Sequence, residues 1–235
     1  MDVPFFYINE SPLKGATISL KEDTSRHCIQ VLRMKKEEPL ILTDGIGGLF
    51  HATIFKEDKK DCLVTINQVE LINPSSRKIT IAISLLKNAS RFEWFLEKAT
   101  ELGIAHIVPL TCHRTEKQYF RQDRMNNIVV SAMLQSKQSY LPILSEPTTF
   151  QKFVERNNSK QTFIAHCIED NKQALADNIL QPELCILIGP EGDFSPEEIN
   201  AAIERNYIPI TLGNTRLRTE TAGIVAATLA VNQKQ

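Results

Sequence analysis

Glycine, acidic and arginine residues concentrate in two stretches of the chain, and each stretch follows an apolar run. The first reads LCILIGPEGDFSPEEI over residues 184–199, and its apolar run breaks at the GPEG of 189–192. Glycines there permit positive φ and close approach of a ligand to the backbone. Glu191 and Asp193 would repel phosphate, and the stretch has neither GKS/T nor G-x-G-x-x-G. It therefore predicts a binding loop for a ligand that lacks phosphate or carries positive charge. The alternative is a tight connection to a helix that Ser195 caps.

The second stretch, TLGNTRLRTETAGIVAATLAV, covers residues 211–231. A strand is predicted to end at Leu212 and Gly213, followed by a polar loop with Arg216 and Arg218. Thr219 is the expected N-cap of an alanine-rich helix. Alone, this pattern fits a surface loop before a packed terminal helix. Two glycine-bearing loops after neighbouring strands, however, open on one sheet edge, where open α/β sheets bind ligands.

The elements that must position these loops alternate between strand and helix after residue 77. Apolar runs predict strands at 78–86, 104–110, 162–165, 184–188 and 208–212. Helices are predicted at 91–102, where apolar residues recur at three- and four-residue steps, and at 220–231. Gly103 stands where a helix C-cap glycine belongs. This alternation predicts a mostly parallel sheet with helices on its faces.

The first seventy residues have a different rhythm. Short β-like runs occur at 5–8, 40–43, 49–55 and 63–72, and one helix-like segment lies at 24–34. Such spacing is typical of a small barrel or sandwich. The NPSS at 73–76 is interpreted as a linker. We therefore expect one domain at 1–72 and a second at 77–235.

Composition narrows the class of protein. The chain has 235 residues, a formal net charge of −1 and five scattered cysteines. That cysteine spacing fits no zinc site and no disulfide framework, which favours a reducing cytoplasm and no structural metal. The apolar runs are shorter than the roughly 20 residues of a membrane helix, so no membrane partner is expected. A nucleic-acid partner would need a local basic patch. His51 and His106 are interpreted as structural.

Several motifs together resemble one family. IGPEGDFSPEEI and LGNTRLRTETA, with KATELGI at 98–104 and SRHCIQVLRM at 25–34, are similar to the bacterial 16S rRNA uracil-N3 methyltransferases. These enzymes belong to the SPOUT, or α/β-knot, class. Lys87, Trp94 and Gln135-Ser136 fall where the middle motifs of the family lie, so the resemblance covers nearly the whole chain.

The resemblance implies an α/β fold in which a small PUA-like, RNA-binding β-barrel precedes a SPOUT domain with a deep trefoil knot. It also implies a homodimer and S-adenosyl-L-methionine bound by loops around 166–168, 188–192 and 212–219. Asp193 departs from the family, which commonly has a second glycine there. Further departures are Asn214-Thr215-Arg216, in place of Pro-Arg-Ile, and the LQSKQ of 134–138.

The expected site residues follow from these loops. Backbone groups of Leu187, Gly189, Leu212 and Leu217 are expected to hold the adenosine and methionine parts of the cofactor. The full set of expected cofactor-binding residues is His166, Leu187, Ile188, Gly189, Pro190, Glu191, Gly192, Leu212, Gly213, Leu217, Arg218 and Thr219. Arg218 is the candidate for stabilising charge on a uracil oxygen, and either Glu191 or Glu220 is the candidate base.

A basic cluster completes the expectations. Arg26, Arg33, Lys35 and Lys36 lie on and after the first predicted helix, with Arg26 and Arg33 two turns apart on one face. A solvated charged face is the plain interpretation. Given the resemblance, we expect these residues, with His27, to contact the backbone of 16S rRNA in the small ribosomal subunit.

Two rival hypotheses remain open at this point. One keeps the SPOUT class but changes the substrate to tRNA or another rRNA base. The other is a ribosome assembly factor that binds RNA without catalysis, which the departures at Asp193 and 214–216 keep open.

Overall fold

The computed structural model describes residues 3–116, 119–168 and 172–233, and it places the strands in two separate sheets. The chain divides into two units. One comprises residues 1–74 with 133–141, and the other comprises residues 75–132 with 142–235.

The first unit is built on a five-stranded sheet with the order β1-β3-β4-β5-β2. Its strands are β1 (Phe5–Tyr7), β2 (Thr17–Ser19), β3 (Pro39–Thr43), β4 (Gly48–Lys56) and β5 (Leu63–Leu71). Among the described strand pairs of this sheet, only β1–β3 is parallel. Side chains alternate between buried and partly exposed along β4, and Leu42, Phe50, Ile54 and Val64 form part of a buried core. The sequence predicted four of these strands and missed β2, which is only three residues long with polar residues at both ends.

The helical segment of the first unit differs from its prediction. Helix α1 covers Glu22–Arg26 and continues as a π-helical turn, His27–Val31. Arg33 then has a φ of 55°. The wider turn and the left-handed residue change the angular spacing, so the prediction that Arg26 and Arg33 share one face of a regular helix is wrong.

The second unit contains an eight-stranded sheet with the order β11-β13-β10-β12-β6-β7-β8, and β9 also pairs with β7. Its strands are β6 (Lys78–Ser84), β7 (His106–Thr111), β8 (Ile143–Leu144), β9 (Thr148–Thr149), β10 (Gln161–Ala165), β11 (Gln173–Ala174), β12 (Glu183–Ile188) and β13 (Ile208–Thr211). Every described strand pair in it is parallel. The predicted parallel sheet is therefore confirmed. The short strands β8, β9 and β11, which are also parallel, were not predicted.

Helices accompany this sheet. They are α2 (Ala89–Glu101), α3 (Gln122–Gln135), α4 (Phe150–Arg156), α5 (Pro196–Glu204) and α6 (Thr219–Asn232), with a short 3₁₀ helix at Leu175–Asp177. The last three residues of α3 belong to the first unit. Gly103 ends α2 as predicted: its φ is 80°, and the amide of Ile104 donates to the carbonyl of Ala99 at 3.1 Å. No helix within the described ranges is both long and apolar enough to cross a membrane.

Helix α6 follows β13 and packs against α2, β6 and β12. A Cβ at Gly223 would lie 2.6 Å from the ring of Phe95 and 3.0 Å from Cδ1 of Ile83. Gly223 therefore permits this close approach. At the other end of α6, the buried guanidinium of Arg77 donates to the carbonyls of Ala230 and Gln233 at 2.8 and 2.9 Å. These bonds satisfy carbonyls that the helix end leaves without partners.

Candidate active site

Three loops leave the same edge of the parallel sheet. Strand β10 lies between β12 and β13, and Ala165 at its end is level with Ile188 on β12 and Ile210 on β13. We name the segments that follow loop A (166–168), loop B (189–195) and loop C (212–218). Both glycine-bearing stretches therefore meet at the carboxyl edge, where parallel sheets bind ligands. Their strands are not neighbours, contrary to the expectation from the sequence, because β10 separates them.

Loop B turns at a residue other than the glycines. The amide of Asp193 donates to the carbonyl of Pro190 at 2.9 Å, and Asp193 has a φ of 67°. Gly189 and Gly192 permit positive φ, but neither of them adopts it. Gly189 is needed for space instead, since a Cβ there would lie 3.1 Å from the amide nitrogen and ring of Phe194.

Hydrogen bonds from Arg114, the buried ring of Phe194 and the cap of helix α5 hold loop B in place. The Nη1 of Arg114 donates to the carbonyls of Gly192 and Phe194 at 2.7 and 3.3 Å. Phe194 is fully buried, and its ring lies 5.4 Å from that of Phe150. As predicted, Ser195 and Glu198 form a capping box that starts α5, and Pro196 takes the first helical position.

Asp193 also connects loop B to loop A. Its Oδ2 accepts from the amide of Cys167 at 2.8 Å, and its Oδ1 accepts from the amide of Phe194 at 2.9 Å. Lys172 adds a second tie to loop A, because its Nζ donates to the carbonyl of His166 at 2.8 Å. The departure at Asp193 thus has a structural consequence within the site.

Near its start, loop C contains Gly213, whose φ of 143° lies in the region that favours glycine. The amide of Ala222 donates to the carbonyl of Arg218 at 2.7 Å. Arg218 is therefore the N-cap, and α6 starts at Thr219. The prediction of Thr219 as the cap is wrong by one residue, because the extended Arg218 already accepts the first helical bond.

The three loops enclose two adjoining cavities. The larger, about 560 Å³, is lined mainly by loops A and C with Lys172. The smaller, about 370 Å³, is lined by loop B and by Arg216 to the start of α6. The cavities share the following lining residues: Ala165, Cys167, Asp193, Arg216, Leu217 and Ala222. Both sizes lie in the usual range for small-molecule sites, roughly 300–1,000 Å³.

Most of the expected cofactor-binding residues line these cavities. His166, Leu212 and Gly213 line the larger one, and Leu217 lines both. The smaller one is lined by Ile188, Gly189, Pro190, Glu191, Arg218 and Thr219. Leu187 and Gly192 are absent from both walls. Leu187 is fully buried in β12, which pairs with β10 and β6 at this residue, so its backbone lies inside the sheet.

Glu220 is not part of either cavity wall. It is 7% exposed, and its Oε1 lies 3.7 Å from Nε of Arg91 on α2. Glu191, by contrast, lines the smaller cavity, and its Oε1 accepts from the amide of Lys87 at 3.2 Å. The geometry separates the two candidate bases and leaves Glu191 on the cavity wall.

Sequence reasoning did not select several residues that line the cavities. Lys172 follows loop A outside any motif, and Ala165 was predicted only as the end of a strand. Ala222 was expected to let the terminal helix pack closely, but it was not assigned to a site. The small side chains of Ala165 and Ala222 leave room at the shared wall. Within the described residues, no group of three or more His, Cys, Asp or Glu side chains could hold a metal ion.

The basic cluster lies in the first unit, and some of its cations pair with nearby carboxylates. Arg26 pairs with Glu22 at 2.8 Å, while the ring of His27 meets Phe6 edge to face at 5.7 Å. Lys35 lies 3.5 Å from Glu57. Arg33 and Lys36 are exposed, and neither forms an ion pair with a described residue.

Comparison with known proteins identifies the class of protein to which this fold and site belong. Residues 73–231 match the family described as an RNA methyltransferase domain, and residues 20–67 match an RNA methyltransferase PUA domain. The protein is therefore an RNA methyltransferase with a PUA-like domain ahead of an α/β-knot domain, and the predicted fold class is confirmed.

Individual relatives narrow the class to a family. The ribosomal RNA small subunit methyltransferase E of Synechocystis is 31% identical, over 90% of this chain and 71% of that protein. The "probable rRNA-methyltransferase" of Porphyromonas gingivalis has a crystal structure with a TM-score of 0.89 and 35% identity, covering 96% of both chains. A Neisseria gonorrhoeae small subunit methyltransferase E bound to S-adenosyl methionine has a TM-score of 0.87 and 28% identity, over 97% of this chain and 96% of that chain. The chain belongs to the ribosomal RNA small subunit methyltransferase E family.

Proposed function

We propose that this protein uses S-adenosyl-L-methionine to methylate N3 of a specific uridine in 16S rRNA. The observation that carries the proposal is the pair of cavities built by loops A, B and C at one sheet edge. A family member with this fold, from N. gonorrhoeae, was solved with S-adenosyl methionine bound.

The residues present fit such a cofactor. The walls offer loop backbone groups, small residues and the carboxylates of Glu191 and Asp193. Carboxylates favour a ligand that bears positive charge, and the loops lack the lysine motif of phosphate-binding sites. Backbone groups of Gly189, Leu212 and Leu217 would hold the adenosine and methionine parts, while Leu187 supports them from inside the sheet.

Bound S-adenosyl-L-methionine supplies an electrophilic methyl group, so the chain must align the acceptor and ease loss of its proton. The proton on uracil N3 has a pKa of roughly 9–10, near that of a phenol. Because N3 lies on the pairing edge of the base, the target must be unpaired or flipped into a pocket. The smaller cavity, beside loop B and Arg218, is the place we assign to this base.

Arg218 would stabilise the negative charge that develops on a uracil carbonyl oxygen. It is exposed at the wall of the smaller cavity, and it forms no ion pair among the residues that the structure describes. Glu191 on the same wall is our candidate for the proton acceptor, in preference to Glu220, which lies beside Arg91.

We assign RNA binding to a PUA-like domain at 1–72 and methyl transfer to a domain at 77–235. The matches to the PUA and methyltransferase families support this division. The exposed cations Arg33, Lys35 and Lys36 would contact the rRNA backbone, with smaller contributions from Arg26 and His27. We further propose a cytoplasmic homodimer that acts on the small ribosomal subunit.

Mapping of modified nucleotides in a deletion strain tests the function. Methylation of N3 blocks base pairing, so we expect 16S rRNA from the strain to lose one primer-extension stop. A plasmid copy of the wild-type gene should restore it. An unchanged 16S pattern together with a lost tRNA or 23S rRNA methylation would assign the enzyme to another RNA. Absence of saturable S-adenosyl-L-methionine binding in calorimetry would instead indicate an assembly factor.

A further inference from the structure

We propose that Asp193 is a positioning residue that locks loop A to loop B and thereby holds the cofactor cleft in its binding shape. The inference rests on the proposed function for the identity of the cofactor. Its structural basis is that Asp193 lines both cavities and bonds to the backbone of both loops.

The backbone at this position is one that most residues avoid. With a φ of 67°, Asp193 lies in the left-handed region, which glycine occupies most readily and which asparagine and aspartate tolerate better than other side chains. A glycine would fit without strain. The aspartate therefore contributes something that the bare turn does not need, and its carboxylate is the only polar group that it adds.

That carboxylate makes a specific connection. One oxygen accepts from the amide of Cys167 in loop A, and the other accepts from the amide of Phe194 in loop B. Bonds to an ionised acceptor are about twice as strong as neutral ones. A carboxylate has about four acceptor positions, so further lone pairs remain for the cavities that Asp193 lines. These would favour a positively charged ligand.

Loop B is a firm anchor for this connection. Arg114 holds the carbonyls of Gly192 and Phe194, and the capping box fixes Ser195. Loop A is therefore tied to a segment that is itself fixed. Without the carboxylate, loop A would lose this restraint, and binding would have to order it. Affinity for the cofactor would fall as a result.

The test compares Asp193→Gly and Asp193→Asn with wild type by two measurements that need no RNA. Calorimetry gives affinity for S-adenosyl-L-methionine, and amide hydrogen exchange reports the Cys167 N–H in the free protein. We expect Asp193→Gly to bind about tenfold more weakly and to exchange the Cys167 amide at least tenfold faster. Asparagine can still accept one N–H through Oδ1, so Asp193→Asn should fall between glycine and wild type. In turnover assays the KM for the cofactor should rise while kcat stays within about twofold.

Asn206→Gly is the matched control. Asn206 also has positive φ, 64°, but it lies outside both cavity walls. This variant should match wild type in both measurements. The proposal is overturned if Asp193→Gly binds within twofold of wild type and leaves Cys167 exchange unchanged. A wild-type protein that binds the cofactor but leaves 16S rRNA unmethylated would refute the proposed function alone.

Discussion

At the scale of single residues, Arg218 is the residue that we expect to contribute most to methyl transfer. Replacing Arg218 by alanine removes a cation that has no described ion-pair partner and that faces the smaller cavity. Loss of one such stabilising donor typically lowers kcat by about 10²- to 10³-fold. We expect this decrease in the kcat for methylation of small subunits, while the affinity for S-adenosyl-L-methionine stays within a few-fold of wild type. Arg205→Ala, outside both cavity walls, is the control. Persisting turnover in Arg218→Ala would remove the assignment.

His106 illustrates a residue whose role is structural. Burial lowers the pKa of His106, and its Nε2 lies 2.7 Å from Oγ of Ser145. Because the pKa is lower in the folded than in the unfolded chain, the neutral ring contributes stability above about pH 6.5 and loses it as pH falls through the folded value. His106→Gln should therefore lose less unfolding free energy than wild type between pH 7 and pH 5. Urea unfolding at both values measures this, and parallel losses in the two proteins would contradict it.

At the scale of elements, the approach of α6 to α2 depends on Gly223. Alanine there would place Cβ 2.6 Å from the fully buried ring of Phe95. Overpacking costs about 1–3 kcal/mol, which outweighs the roughly 1 kcal/mol that alanine gains over glycine in a helix. We expect Gly223→Ala to lower the free energy of unfolding and the affinity for S-adenosyl-L-methionine, since Thr219 and Ala222 on α6 line the cavities.

Asn127→Ala on α3 provides the comparison for Gly223→Ala. Asn127 is exposed, so alanine there gains helix propensity, somewhat less than when it replaces glycine, without a steric penalty. Its stability should be unchanged or slightly higher. A Gly223→Ala protein as stable as Asn127→Ala would show that α2 and α6 can separate at low cost.

Periodicity predicted the main strands and helices because it reports which face each element buries. The runs at 78–86, 184–188 and 208–212 became β6, β12 and β13 within two residues at each end. The π-helical turn after Arg26 escaped notice, since the apolar spacing of 24–34 is close to that of an α-helix. The short strands β8, β9 and β11 have two residues each, too few for a period.

The cofactor loops were predictable because glycine, proline and capping residues specify local geometry. The contacts that fix them were not. Arg114 reaches the carbonyl of Gly192 from 78 positions earlier in the chain, and Asp193 reaches Cys167 across 26 positions. The spacing of residues along the chain does not show which distant residues lie close together in the fold. For the same reason the sequence left Glu191 and Glu220 as equal candidates, whereas the fold turns Glu220 toward Arg91.

At the scale of the whole molecule, charge limits how the protein can bind RNA. The net charge is only −1, so no overall attraction to phosphate exists and the affinity must come from local cations. The logarithm of the binding constant falls linearly with the logarithm of the salt concentration. For single-stranded RNA, each phosphate that a cation neutralises makes this slope steeper by about 0.7. The proposed contacts Arg33, Lys35 and Lys36 are exposed and of the right type.

We expect replacement of Arg33, Lys35 and Lys36 by glutamine to weaken binding to small subunits and to reduce the salt slope by about 2. Affinity for S-adenosyl-L-methionine should not change, because none of these residues lines either of the two cavities at loops A, B and C. Replacing the exposed Lys152, Lys160 and Arg205 by glutamine removes the same charge from the second unit. If the salt slope decreases equally in both triple variants, RNA binding depends on the general charge of the protein and not on the proposed cluster. If only the first variant does, the cluster after α1 is the contact, and Lys35 must exchange its 3.5 Å partner Glu57 for a phosphate on binding.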